Sequence, residues 1–241
     1  MKSKFYESLE HGISQSRLST YKRDGYGKLD TLTDYVLNAK ISQNFYFLLQ
    51  NLEVTLRNAI YSSYKKHYSN QDFFYLNETN SFNRYKSKKE IHSRECWKML
   101  CGVKYKLRHL AHISDGKIIA ELNFGFWTEL LTSTDPKYIN MWRTIFSDVF
   151  PNYQIQSSID HDKNLIGTKI DDIRSFRNRI FHYEPIYHQN NLQDKHTEIF
   201  DILGWLNNNM KVLNELFDEF KHIEKDRQNI INTLESLAAW H

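Results

Sequence analysis

Leu48-Leu49-Gln50-Asn51-Leu52-Glu53-Val54-Thr55-Leu56-Arg57-Asn58-Ala59-Ile60 repeats its apolar residues at steps of three and four. Side chains advance by about 100° per helical residue, so Leu48, Leu49, Leu52, Leu56, Ala59 and Ile60 share one face of an α-helix. Outward from this stretch the same pattern runs from Leu29 to about His67, as one helix or as two bent near Asn38–Ser42. Upstream, Ser14 caps a short helix reaching Tyr21, and Gly25-Tyr26-Gly27 breaks the chain. Downstream, Ser69-Asn70-Gln71-Asp72 ends the helix, and a polar loop follows to about Asn83. Helical patterns then resume: Arg84 to about Ala111, Gly116–Leu122 behind Asp115, and Phe126–Leu131 after the break at Asn123-Phe124-Gly125. Asp135-Pro136 is a cap followed by an N1 proline and opens a helix to about Phe150. Another starts at Asp160 or Asp162, runs to about His182 and is stopped by Pro185. Two more are predicted near Asp194–Phe220 and Ile223–Trp240. Nowhere is there a clear period-two alternation. The expectation is one all-α domain over residues 1–241, with a loop-rich middle.

Composition agrees with that reading and excludes several classes. In 241 residues there are only 8 Gly and 3 Pro, too few for a sandwich or barrel that turns every ~8–12 residues. Neither a dinucleotide-binding nor a Walker glycine loop occurs. With 40% hydrophobic and 15% aromatic residues, the chain has enough apolar surface to fold. No apolar run approaches the ~18 residues of a membrane span. The start, Met1-Lys2-Ser3-Lys4-Phe5-Tyr6-Glu7, lacks the apolar core of a signal peptide. Two cysteines, Cys96 and Cys101, make no disulfide framework. A soluble cytoplasmic protein is expected, without membrane contact or cofactor.

Charge is unevenly distributed. Between Arg84 and Arg108 stand nine basic residues, Arg84, Lys86, Lys88, Lys89, Arg94, Lys98, Lys104, Lys106 and Arg108. Only Glu90 and Glu95 oppose them, a balance of +7 in a chain whose total is +3. Tyr85, Trp97 and Tyr105 are interleaved. Such a patch suits RNA, whose phosphates release counterions when neutralised and whose unpaired bases stack on aromatic rings. A merely solvated helix face has the same composition.

The chemistry-bearing stretch is Arg177-Asn178-Arg179-Ile180-Phe181-His182. On its helix, Ile166, Ile170, Ile173 and Ile180 form an apolar stripe, and Arg177 falls inside it. A guanidinium there is costly unless it is paired, or unless the stripe is an interface. Asn178 and His182 stand four apart on another face, a spacing that lets an amide orient an imidazole. Arginine holds a phosphate bidentately and stabilises charge developing on phosphorus. Histidine transfers protons near neutral pH. Together they suit metal-free cleavage of RNA by its own 2′-hydroxyl; structural hydrogen bonds at a helix end are the plainer reading. Glu53 and Arg57, also four apart, read as an ion pair beside the core. His92, Cys96, Cys101, His109 and His112 lack the paired spacing of a zinc site, so no metal is expected.

Arg177-Asn178-Arg179-Ile180-Phe181-His182-Tyr183-Glu184-Pro185-Ile186 resembles the R-N-R-x-x-H-x-E-P-[IL] stretch of the bacterial abortive-infection (Abi-like) proteins. Three upstream blocks extend the resemblance in the same order. They are Ile13-Ser14-Gln15-Ser16-Arg17-Leu18 with Tyr21, Leu52-Glu53-Val54-Thr55-Leu56-Arg57-Asn58-Ala59-Ile60, and Ile119-Ala120-Glu121-Leu122-Asn123-Phe124-Gly125-Phe126-Trp127. The resemblance implies a HEPN-like helical bundle with additional helices. It implies a metal-independent endoribonuclease of phage defence, its composite site built at a homodimer interface. Arg177 would bind the scissile phosphate, His182 would transfer the proton, and Asn178 would orient it. The RNA backbone would lie on Arg84, Lys86, Lys88, Lys89, Arg94, Lys104, Lys106 and Arg108, or in a cleft around Arg174 and Arg179. An inhibitory RNA or antitoxin protein is a further expected partner. A non-catalytic HEPN-type module that binds RNA or a protein partner is the alternative.

Overall fold

The computed structural model describes residues 2–69, 95–110, 112–223 and 226–240, and among them helix follows helix with no strand. The elements are α1 (Lys2–Ile13), α2 (Gln15–Ser19), α3 (Lys28–His67), α4 (Glu95–Leu107), α5 (Asp115–Glu121) and α6 (Phe124–Thr132). They continue with α7 (Pro136–Val149), α8 (Ile159–Phe181), α9 (Leu192–Leu206), α10 (Asn208–Leu216), α11 (Phe220–Ile223) and α12 (Asp226–Trp240). The all-α class read from the sequence is the class observed. Arg84, Lys86, Lys88, Lys89 and Arg94 lie outside the described residues.

Helix starts follow local chemistry. The Ser14 side chain accepts from the Arg17 N–H at 3.2 Å and caps α2. Asp135 accepts from the Lys137 N–H at 3.0 Å ahead of Pro136, as Asp-Pro predicts. Asn123 caps α6 through the Phe126 N–H, so this helix begins two residues earlier than its apolar run suggests. α3 is one continuous helix of 40 residues, not two separated at Asn38–Ser42. The helix expected over Asp194–Phe220 is broken at Asn207. That side chain accepts from the N–H groups of Asn209 (2.9 Å) and Met210 (3.2 Å), capping a new helix where continuation would leave the amide idle.

The described residues gather into two compact units, each assembled from separated pieces of chain. The first comprises Met1–Gln50, Phe176–Thr197 and Val212–His241. One core of this unit packs Leu18 and Leu32 against Ile230 and Leu234, bordered by Tyr6, Leu9 and Tyr35. Another centres on Phe45, whose ring meets the edges of Phe176 at 4.9 Å and Phe220 at 5.1 Å. The second unit comprises Asn51–Ser175 and Glu198–Lys211. Its core buries Leu52, Leu56 and Ile60 of α3, Trp127 of α6, and Met141, Trp142 and Ile145 of α7 completely. The Trp142 indole N–H donates to the Leu130 carbonyl at 2.7 Å, so the ring is buried without a lost hydrogen bond. Two helices of this unit approach closely at Gly167, where a Cβ would stand 2.9 Å from Thr132 Cγ2 and 3.2 Å from Leu131 Cβ.

Candidate functional site

Arg177, Asn178, Arg179 and His182 all lie in the first unit, on the last turn of α8 and just past it. The way this helix ends determines what each side chain reaches. Tyr183 sits in the left-handed region at φ 58°. The Glu184 N–H donates to the Arg179 carbonyl at 2.9 Å, and the Tyr183 N–H to the Ile180 carbonyl at 2.9 Å. These two bonds make a Schellman ending with His182 as its C-cap and Tyr183 in the position glycine usually fills. Pro185 then prevents the helix from resuming.

Asn38, inside α3, holds the turn that follows. Its Oδ1 accepts from the N–H groups of Ile186 (2.7 Å) and Tyr187 (3.2 Å). Its Nδ2 donates to the Tyr21 hydroxyl (3.1 Å) and to the Glu184 carbonyl (3.3 Å). All four hydrogen-bonding positions of one buried amide are thus used, three of them on backbone. Burial also raises the Tyr21 hydroxyl above its ordinary pKa, keeping it a neutral partner for that amide.

Arg177 is half-buried. Its guanidinium carbon lies 4.0 Å from the centroid of the Phe181 ring, one turn further on. The Phe181 ring in turn stacks on Tyr46 of α3, at 5.3 Å between centroids and 23° between planes. The cation is therefore propped on an aromatic pair and not left bare in an apolar face. Asn178 serves it: its Oδ1 faces Arg177 Nη1 at 3.5 Å. The orientation of His182 by the Asn178 amide, expected from their spacing, does not occur. The two residues are joined only by the His182 N–H donating to the Asn178 carbonyl at 2.9 Å. As the cap residue, His182 has left the helical row that Asn178 occupies. Its imidazole is exposed and, among the described residues, has no hydrogen-bond partner.

The isoleucine stripe does not serve as an interface. Ile166, Ile170 and Ile173 are fully buried and Ile180 nearly so, covered by this chain's own residues. Of the arginines expected to line a cleft, Arg179 donates to Glu184 at 3.1 Å and to the Pro185 carbonyl at 3.2 Å. Arg174, in the second unit, donates to Asp171 at 2.8 Å. Lys104, Lys106 and Arg108 also belong to the second unit, at the end of α4. Lys106 is ion-paired with Glu121, and Lys98 with Glu95. Arg108 lies 3.7 Å over the Tyr105 ring. Arg57 forms no ion pair with Glu53 among the described residues, and its Nε is buried without a hydrogen bond. Cys96 is buried, which pushes its thiol well up. Among the described residues no three His, Cys, Asp or Glu side chains converge as a metal site.

Sequence reading singled out Arg177 and His182 and passed over Asn38, Tyr46 and the stacking of Phe181. The available signal was an asparagine inside a long helical pattern: such a residue, if it neither bends nor ends the helix, must be satisfied by something across from it. No family model matches the chain, and no curated protein or solved structure matches it. The resemblance to the abortive-infection family rests on its four sequence blocks.

Proposed function

We propose that this chain is a metal-independent endoribonuclease of bacterial phage defence, as its resemblance to the abortive-infection proteins of the HEPN superfamily implies. The observation that carries the reading is the pairing at the end of α8: an exposed imidazole without a partner among the described residues, close in sequence to a guanidinium propped on an aromatic ring. His182 accepts the proton of the 2′-hydroxyl as that oxygen attacks phosphorus. Arg177 binds the non-bridging oxygens as their charge grows, through two parallel N–H donors that a lysine cannot supply. The P–O5′ bond breaks as the leaving 5′-oxygen takes the proton back from the His182 imidazolium, giving a free 5′-hydroxyl on one fragment and a 2′,3′-cyclic phosphate on the 5′ fragment. Asn178 acts through Arg177, holding the guanidinium. The homodimer of this reading does not meet through the isoleucine stripe, which is occupied within the chain.

The test is incubation of the wild-type protein and His182→Ala with total RNA in EDTA, followed by analysis of the cut ends. Wild type is expected to leave cyclic phosphates, and His182→Ala to lose about 10²–10⁴-fold in rate while keeping its helical spectrum. Cleavage that requires added magnesium overturns the mechanism. Equal activity of the two proteins favours the non-catalytic, RNA-binding module.

A further inference from the structure

Within the first unit, beside the end of α8, lies a cavity of about 760 Å³, inside the range of small-molecule sites. One wall is a face of α3. Tyr35, Asn38, Ala39, Ser42 and Tyr46 line it at steps of three and four, and the methyl of Ala39 leaves the centre open. Arg17 and Tyr21 enter from α2 and the turn after it, and Phe181 and Tyr183 from the end of α8. Tyr21 is buried against Tyr35 and Tyr187, so it is fixed before any ligand arrives. Tyr46 and Tyr183 are 50% and 75% exposed and have open ring surface to offer.

Arg17 is the telling residue. It is half-buried at the rim of this cavity, and among the described residues its guanidinium has neither a carboxylate nor a hydrogen-bond partner. The other arginines of this unit each have a partner: Arg23 donates to the Tyr187 hydroxyl, Arg177 faces Asn178, and Arg179 and Arg227 pair with Glu184 and Asp34. A cavity walled by flat rings, with side-chain amide and hydroxyl groups on its wall and one unmatched guanidinium at its mouth, has the chemistry of a planar heterocycle carrying an anion. Rings stack on a base of any sequence, Ser42 and Gln43 offer donors and acceptors to a base edge, and a guanidinium holds a phosphate through two donors.

We infer that this cavity binds a nucleoside monophosphate unit, its base stacked on the open ring surfaces of Tyr46 and Tyr183 and its phosphate on Arg17. The same unit is presented by a free nucleotide and by an unstacked residue of an RNA strand. The inference stands on the cavity's own lining and does not depend on cleavage.

Calorimetric titration tests it, using the four nucleoside 5′-monophosphates and, separately, a single-stranded 2′-O-methyl oligoribonucleotide that cannot supply the 2′ nucleophile. Wild type, Arg17→Ala and Tyr46→Ala are compared, with thermal melts to establish that each is folded; both side chains lie outside the core. Mononucleotide binding weakened about tenfold or more in each variant supports the inference with a free nucleotide as ligand. Binding of the oligomer alone, weakened likewise, supports it with the RNA strand as source. The readout is binding, and the oligomer cannot supply the nucleophile, so the outcome does not depend on whether the protein cleaves RNA. Absence of binding to both probes, or binding unchanged in both variants, overturns the inference.

Discussion

Tyr183 shows how much a single backbone angle decides at the candidate site. A tyrosine at φ 58° suffers the contact between Cβ and carbonyl oxygen that glycine avoids, at a cost of about 1–2 kcal/mol. Its side chain is 75% exposed and recovers little of that through packing. Tyr183→Gly is therefore expected to raise stability by about 1 kcal/mol in urea unfolding, net of glycine's larger unfolded entropy. A loss of stability would mean that the ring contributes more contact than its exposure indicates. At this scale Arg177 and His182 were legible because their residue types and spacing carry chemistry by themselves. The role of Asn38 was not, because its four partners lie at Tyr21 and Glu184–Tyr187, far off in sequence. The role of Asn178 was misread for a related reason. Spacing of four puts two residues on one face only while the helix lasts, and His182 is where it ends.

At the scale of elements, apolar periodicity located most helices, whereas their ends followed capping side chains that periodicity ignores. Two glycines make the same distinction. Gly102, within α4, has nothing within 4 Å of where a Cβ would stand, while Gly167, within α8, has Thr132 Cγ2 at 2.9 Å. Replacing glycine by alanine in a helix is worth up to about 1 kcal/mol in propensity. Gly102→Ala is expected to gain close to that. Gly167→Ala is expected to lose about 1–3 kcal/mol of packing, more than the propensity returns. Thermal melts that move both variants in the same direction would refute the close approach of α8 and α6. Acid acts on another contact between elements, α3 to α7. The Asp148 carboxylate accepts from His67 at 2.5 Å and Lys66 at 2.9 Å, and these bonds hold it below the usual aspartate range. A depressed carboxylate stabilises the folded state above its unfolded pKa of about 3.9, and the contribution disappears as pH falls through the lower folded value. Between pH 5 and pH 3, as orders of magnitude for that window, the melting temperature of Asp148→Asn is expected to fall less than that of wild type. Parallel curves would remove Asp148 from the acid response.

Over the whole molecule, the division into two units had no sequence signature, for a physical reason. A linker is visible when a boundary is crossed once by polar, Gly- or Pro-rich chain. Here α3, α8, α9 and α10 each supply residues to both units, so the crossings lie inside well-formed helices. The charge distribution, by contrast, was legible at once, and it leads to a prediction that separates binding from chemistry. The +7 segment from Arg84 to Arg108 does not offer all of its cations to RNA, since Lys98 and Lys106 already face Glu95 and Glu121. Each phosphate contact on single-stranded RNA contributes about 0.7 to the slope of log affinity against log salt. Reversing Lys86, Lys88 and Lys89 to glutamate is expected to weaken RNA binding for all sequences alike and to flatten that slope by about 2. Lys106→Glu is expected to change it less, because its partner has already displaced the counterion. The cut sites should stay where they are at saturating protein, since phosphate contacts position a strand and base contacts select it. A salt titration in which the triple reversal leaves the slope unchanged would take the RNA away from this segment and leave the end of α8 to hold it alone.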